Sequence, residues 1–279
     1  MTENAVSRIV SKLNYIDGEN FFRSILTAIS KEIGSDHLFV AEVDPEHTTA
    51  VSIAHVQDGN LSDNFSYELL NTPCAKVIEN KPCFFKDSIQ SKFPEDFLLV
   101  AMDIEGYVGA PLINSEGKVH GIIVALFKNR QEETNSVVAL FDLFSGMISS
   151  ELERSLSKKR LQINELVFNV LDEGVIVTNN HKQIVYVNPA FCRIYGYSKE
   201  EVIGNDPGNL LRSGKQDNIF YESMWDTINK EGSWAGKIIN KKKCGENFSE
   251  WLKINKAVDP KSGAIFYIGV FHELIRNEH

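Results

Sequence analysis

Most of the usual marks of a secreted, membrane-bound or catalytic chain are missing here. The four cysteines, Cys74, Cys83, Cys192 and Cys244, show neither CxxC nor zinc-ligand spacing. A disulfide framework and a structural zinc site are therefore excluded, and free thiols in a reducing compartment are expected. No run approaches the ~18 apolar residues of a membrane span. The opening "MTENAVSRIVSKLNYIDGENFF" carries acidic residues and no apolar h-region, so it is no signal peptide, and a cytoplasmic chain is expected. Positive charge is in deficit: the formal net charge is -9. That excludes general binding to nucleic acid or anionic membrane, though not a small anion in a local pocket. P-loop, nucleophile elbow and kinase signature are all absent. "HELIR", residues 272–276, begins like a zinc-protease motif but has Arg276 where a second His is required. The basic "NKKKCG" reads as a solvated hairpin end. No catalytic constellation remains, so no enzyme is expected within these residues.

What is present is enough for two folded units. The 279 residues, 43% hydrophobic and 24% charged, suit two domains of roughly 100 to 150 residues each. Phe22, Ile25, Leu26 and Ile29 have helical spacing over 18–33. "HLFVAEVD" and "AVSIAHV" read as strands, "TPCAKVIEN" as a helix with Thr72 as N-cap and Pro73 at its first position, and "FPEDFLLVAMD" as a short helix. Strands "IEGYVGAPLIN" and "KVHGIIVALF" flank the turn "NSEG". This first unit is expected to be a mixed one with one antiparallel sheet.

From about Asn135 to Val170 the pattern becomes one long helix. Val137, Phe141, Phe144, Ile148 and Leu152 step by four and three, and Leu156, Ile163, Leu166 and Val170 continue the stripe. A connector of this length exposes an apolar seam unless its own domains or a second copy cover it, and a homodimer through a parallel coiled coil is the expectation. After Gly174, "GVIVTNNHKQIVYVN" gives two strands and "PAFCRIYGYSKEEVIG" two short helices. A helix over "NIFYESMWDTINKEG" ends at Gly232, and three strands follow. That order fits a five-stranded antiparallel sheet with helices on one face.

The second unit resembles a PAS domain over about residues 162–273. "IVYVNPAFCRIYGYSKEEVIG", "NLLRSGKQ", "FYESMW", "GSWAGKIIN" and "GENFSEWL" follow the family's pattern in order, with Lys237 in place of the usual acidic residue and "FHELI" in place of the usual ending. The first unit resembles a GAF domain over about residues 18–150, through "YELLNTPCAKVIENKPCFFKDSIQSKFPEDFLLVAMDIEGYVGAPLINSEGKVHGIIVAL". Asn71 and Val108 depart from its common residues. The fold class implied is α+β: two domains, GAF-like then PAS-like, each a central antiparallel sheet with flanking helices, joined by a long helix. The expected extents are 1–150 for the GAF-like domain with its N-terminal helix, 135–170 for the connecting helix and 162–279 for the PAS-like domain. The resemblance implies a sensory module that passes a small-ligand or redox signal through a dimeric helix to a downstream output domain in a longer bacterial protein. Cyclic-di-GMP turnover is favoured over a histidine kinase; a stand-alone protein-docking regulator is the rival.

The same resemblance bears on cofactors. No "NKFDE"-type string supports cyclic nucleotide binding, and no Cys–His pair supports a bilin. The stretch "GNDPGNLL" lacks the thiol of a photoactive flavin domain. Haem is not expected, because His181 lies in a turn and His272 near the end of the last strand. Relatives that bind FAD place a Trp against the isoalloxazine and an Asn at its polar edge, which correspond to Trp225 and Asn240. These two are the candidate cofactor-binding residues, and no catalytic or metal residue is assigned. All three tryptophans, Trp225, Trp234 and Trp251, fall in one stretch; a family signature with core aromatics is the first reading and a flavin cage the second. Trp234 reads as covering the core edge, and Trp251 is compatible with either face of its strand.

Overall fold

The computed structural model describes residues 2–11, 18–79, 81–131 and 135–274. Asn80 and Arg276, which belong to segments read above, lie outside them. The chain divides into two compact units, Met1–Lys159 and Arg160–His279.

The first unit runs α1 (Thr2–Ser11), α2 (Glu19–Ile33), β1 (His37–Val43), β2 (Thr49–Gln57), β3 (Asn60–Ser62), β4 (Ser66–Glu68), α3 (Pro73–Ile78), β5 (Cys83–Phe85), α4 (Ile89–Lys92), α5 (Phe97–Ala101), β6 (Gly106–Ile113) and β7 (Val119–Phe127). Its antiparallel sheet has the order β3-β2-β1-β7-β6-β5, with β4 paired to β2. The central strand β1 separates two cores through its two-residue period: Leu38 and Val40 join one, while Phe39, Ala41 and Val43 join the other. The first core takes Phe22, Ile25, Leu26 and Ile29 of α2, all fully buried, each contributing about 1.5–3 kcal/mol of burial. Thr72 stands at the N-cap of α3 but caps nothing with its side chain; its hydroxyl donates to Leu69 O at 2.7 Å. Pro73 follows, lacking the N–H that would have needed a cap.

Helix α6 (Asn135–Val170) spans 36 residues without a break. Val137, Leu140, Phe141, Phe144, Ile148 and Leu152 are buried in the first core. Beyond Leu156 the apolar residues lose that cover: Ile163, Leu166, Val167 and Val170 are all exposed.

The second unit contains β8 (Gly174–Asn179), β9 (Ile184–Val187), α7 (Pro189–Tyr195), α8 (Lys199–Val202), α9 (Pro207–Leu211), α10 (Asn218–Glu231), β10 (Ser233–Lys241), β11 (Asn247–Val258) and β12 (Ile265–Glu273). The sheet order is β10-β11-β12-β8-β9, antiparallel throughout. Helix α10 ends on Gly232 in the left-handed conformation, as the sequence predicts.

Two sequence strings find physical reasons here. In "YVNPAF", Asn188 is fully buried and uses both ends of its amide. Its Oδ1 accepts from Phe191 N at 3.0 Å, capping α7, and from Val175 N at 2.8 Å on β8. Its Nδ2 donates to Glu173 O at 2.9 Å and to Phe168 O at 3.3 Å, at the end of α6. One side chain thus fastens a helix end, a strand start and a helix start. In "SWAGK", the Trp234 indole folds back over Gly236, where a Cβ would stand 2.6 Å from the ring. The edge strand β10 is covered by "RSGKQ": Arg212 forms a β-bridge to Asn240, and the Ser213 hydroxyl donates to Ile239 O.

Asn188→Ala removes four hydrogen bonds and strands buried partners, so it should cost the second unit about 2–4 kcal/mol. Urea denaturation followed by tryptophan fluorescence reads this directly, because all three tryptophans lie in that unit.

Candidate functional site

A cavity of about 210 Å³ lies inside the second unit, between the sheet and helices α9 and α10. A single water needs only about 10–15 Å³ by the same measure, so this volume suits a small organic molecule. Ile176, Leu211, Met224, Ile238, Leu252 and Ile254 make its apolar wall.

Its inner end is polar. Glu250 projects inward because β11 alternates: Phe248, Glu250 and Leu252 share the core face, while Trp251 is exposed beside Lys237 and His272 on the flanking strands. Glu250 is 1% exposed. Its Oε2 accepts from the Tyr195 hydroxyl at 2.8 Å and its Oε1 from Asn240 Nδ2 at 2.8 Å. Asn240 Nδ2 also donates to the Tyr195 hydroxyl at 2.9 Å, closing a three-membered network. Burial pushes the Glu250 carboxyl up to about 7; the Tyr195 and Asn240 hydrogen bonds pull the other way, and Glu273 across the sheet adds a smaller push upward. No cation pairs with Glu250 among the described residues. Nearby, the Tyr221 hydroxyl is buried and has no hydrogen-bond partner.

The outer end carries two cations on aromatic faces. The Arg212 guanidinium lies 3.9 Å from the centroid of the Tyr221 ring, and Lys182 Nζ lies 4.7 Å from that of Trp225. Both cationic residues are exposed and border the cavity. Trp225 meets Tyr267 edge to face at 5.1 Å.

Trp225 on α10 and Asn240 on β10 therefore border one cavity. Their geometry is a poor match for a flavin: both Asn240 amide protons are spent on Tyr195 and Glu250, so none is free for an isoalloxazine carbonyl. Sequence reading missed Glu250, Tyr195, Tyr221 and Arg212. The alternation in "NFSEWLKI" places Glu250 inside once Trp251 is placed outside. The other two tryptophans serve elsewhere, Trp234 edge to face against Phe220 at 5.9 Å and Trp251 on the outer sheet face. His181 is an exposed turn residue, and His272 faces Glu173 at 3.5 Å.

The first unit offers much less room. A cavity of about 30 Å³ is bordered by Tyr67, Cys74, Asp96 and Tyr107. The Cys74 thiol lies 3.2 Å from both tyrosine hydroxyls and is pushed up to about 11 by burial, which keeps it protonated and unreactive. His37 and His55 form a buried pair, Nδ1 to Nε2 at 3.1 Å, both held below the usual histidine range chiefly by burial. Among the described residues no group of His, Cys, Asp and Glu side chains could hold a metal ion, and no helix is long and apolar enough to cross a membrane.

Comparison with known proteins defines the class. Residues 17–153 match the GAF domain model and residues 172–274 the PAS domain model. The chain is a sensory signalling module in which a GAF domain precedes a PAS domain, with α6 between them. It is similar to the nitrogen fixation regulatory protein of Klebsiella oxytoca, 27% identical over 112 residues, which are 39% of this chain and 22% of that protein. It is also similar to the aerotaxis receptor of Escherichia coli, 27% identical over 88 residues, 32% of this chain and 17% of the receptor. The chain thus spans about a fifth of the length of these relatives. Among solved structures, a PAS domain from Colwellia psychrerythraea aligns with 41% of this chain and 96% of its own, at 21% identity and a TM-score of 0.38.

Because the folded state holds Glu250 protonated to higher pH than the unfolded chain does, it binds the extra proton between about pH 4.5 and 7. PAS stability should accordingly fall as pH rises through that window, by on the order of 3 kcal/mol in total. Glu250→Gln should flatten this slope in urea titrations at pH 5, 6, 7 and 8.

Proposed function

We propose that the PAS cavity is the sensor and that its occupancy is relayed along α6, within a dimer, to a downstream output domain. The observation that carries this reading is a ligand-sized cavity whose inner end holds an uncompensated carboxyl and an unpartnered hydroxyl. An occupant that bonds these groups favours one protonation state and one packing of the sheet, which is a population shift. The GAF domain, with its small cavity and satisfied polar groups, serves as a scaffold in this scheme.

Dimerisation is supported by the exposed part of α6. Leu152, Leu156, Lys159, Ile163, Leu166 and Val170 follow one another at steps of four and three, the spacing of a coiled-coil seam. A second copy would cover Ile163, Leu166 and Val170. The output is cyclic-di-GMP turnover, in a cytoplasmic signalling protein; this rests on the resemblance of the PAS strings to those that precede such enzymes.

A second reading, an FAD-binding redox sensor, has one observation in its favour: Trp225 and Asn240 border the same cavity. A bound flavin would supply two-electron redox chemistry.

Two measurements test these readings. The freshly purified protein should show no bands near ~370 and ~450 nm that bleach with dithionite; such bands would establish the flavin reading instead. Light scattering should give a dimer for the wild type and a monomer for Ile163→Glu/Leu166→Glu. A wild-type monomer at micromolar concentration would end the coiled-coil relay.

A further inference from the structure

The two ends of the PAS cavity carry opposite charge. Inside lies the Glu250 carboxyl, accepting from Tyr195 of α7 and Asn240 of β10, with Glu273 of β12 as a further anion. At the mouth stand Arg212, at the end of α9, and Lys182, in the turn between β8 and β9. Neither cation meets a carboxylate among the described residues. The one other acidic group bordering the cavity, Asp206, is engaged in capping α9 through Gly208 N at 2.7 Å. Arg212 bridges to Asn240 along the backbone, and Asn240 bonds Glu250, so the two charged ends are linked through a single residue.

Each end lacks something specific. An ionised carboxylate sealed from water without a cation is costly, and a buried hydroxyl without a partner adds to that cost. An ammonium group answers both, donating to Glu250 and to the Tyr221 hydroxyl. The exposed guanidinium and ammonium at the mouth favour a carboxylate there, where Arg can grip it with two parallel bonds. Between them the wall is apolar and aromatic, through Met224, Ile238, Leu252 and Tyr267.

We infer that the PAS cavity binds a small zwitterion of the amino-acid type, its ammonium inward on Glu250 and the Tyr221 hydroxyl, its carboxylate outward on Arg212 and Lys182. This deepens the small-ligand reading above and rests on it. A simple acid satisfies only the mouth, and a simple amine only the interior.

The test uses the full chain at pH 7.5, with melting followed by tryptophan fluorescence, which reports the PAS domain. The probes are the twenty proteinogenic L-amino acids, together with 2-phenylethylamine and 3-phenylpropionate, which share the body of L-phenylalanine but keep one charge each. At least one amino acid should raise the melting temperature by several degrees at millimolar concentration, and the amine should stabilise more than the acid. Titration calorimetry with the best amino acid should show tenfold or greater weakening in Glu250→Gln. Arg212→Ala, an exposed change that leaves the core intact, should weaken it while leaving amine binding unaltered. Stabilisation by 3-phenylpropionate equal to or above that by 2-phenylethylamine overturns the zwitterion but leaves a small-ligand sensor. Silence from every probe overturns the zwitterion too; flavin bands in the same sample would remove the small-ligand reading as well.

Discussion

Burying a carboxyl without a cation constrains everything around it in the PAS domain. Glu250 enters the core because β11 keeps strict alternation, and Tyr195 and Asn240 are fixed in place by the bonds they give it. Tyr195 is itself sealed at the end of α7, where Gly196 turns the chain, so the network joins a helix terminus to two neighbouring strands. Low dielectric strengthens those bonds and also raises the cost of the charge they surround. The outcome is a group balanced near neutrality in the wall of a cavity, which is what a sensor requires and a purely structural core avoids.

The GAF domain treats its buried polar groups in the opposite manner. His37 and His55 answer one another, and His55 Nδ1 meets Asp63 O at 3.1 Å. Cys74 is enclosed by two tyrosines. Every one of these groups is held in its neutral form by burial, and the space left beside the cysteine cluster admits little more than a water or two. Two domains of the same general architecture therefore differ in what they are built to notice.

Much of this fold is legible in the sequence because it is periodic. The four-three stripe in α6 and the α2 spacing fix long helices, and the five strands of the PAS sheet stand between clear turns. The strands β3, β4 and β5 are only three residues long, too short to show alternation, and they exist because the longer neighbours β2 and β6 supply the pairing. The cavity was half legible. Trp225 and Asn240 come from the family pattern, but Glu250 pairs with Tyr195 across 55 positions, a relation that only the folded register creates. Thr72 shows the reverse error: its residue type suits an N-cap, while its hydroxyl finds a nearer carbonyl.

The unbroken run of α6 gives the molecule a counting rule. At 1.5 Å per residue the helix extends about 54 Å, and each added residue turns whatever follows by about 100°. Lengthening it by seven residues would return the same face after two turns, whereas three or four would present a neighbouring face. Evolution can thus graft this pair of domains onto different successors by arithmetic in steps of seven, keeping the phase of the signal while changing its destination.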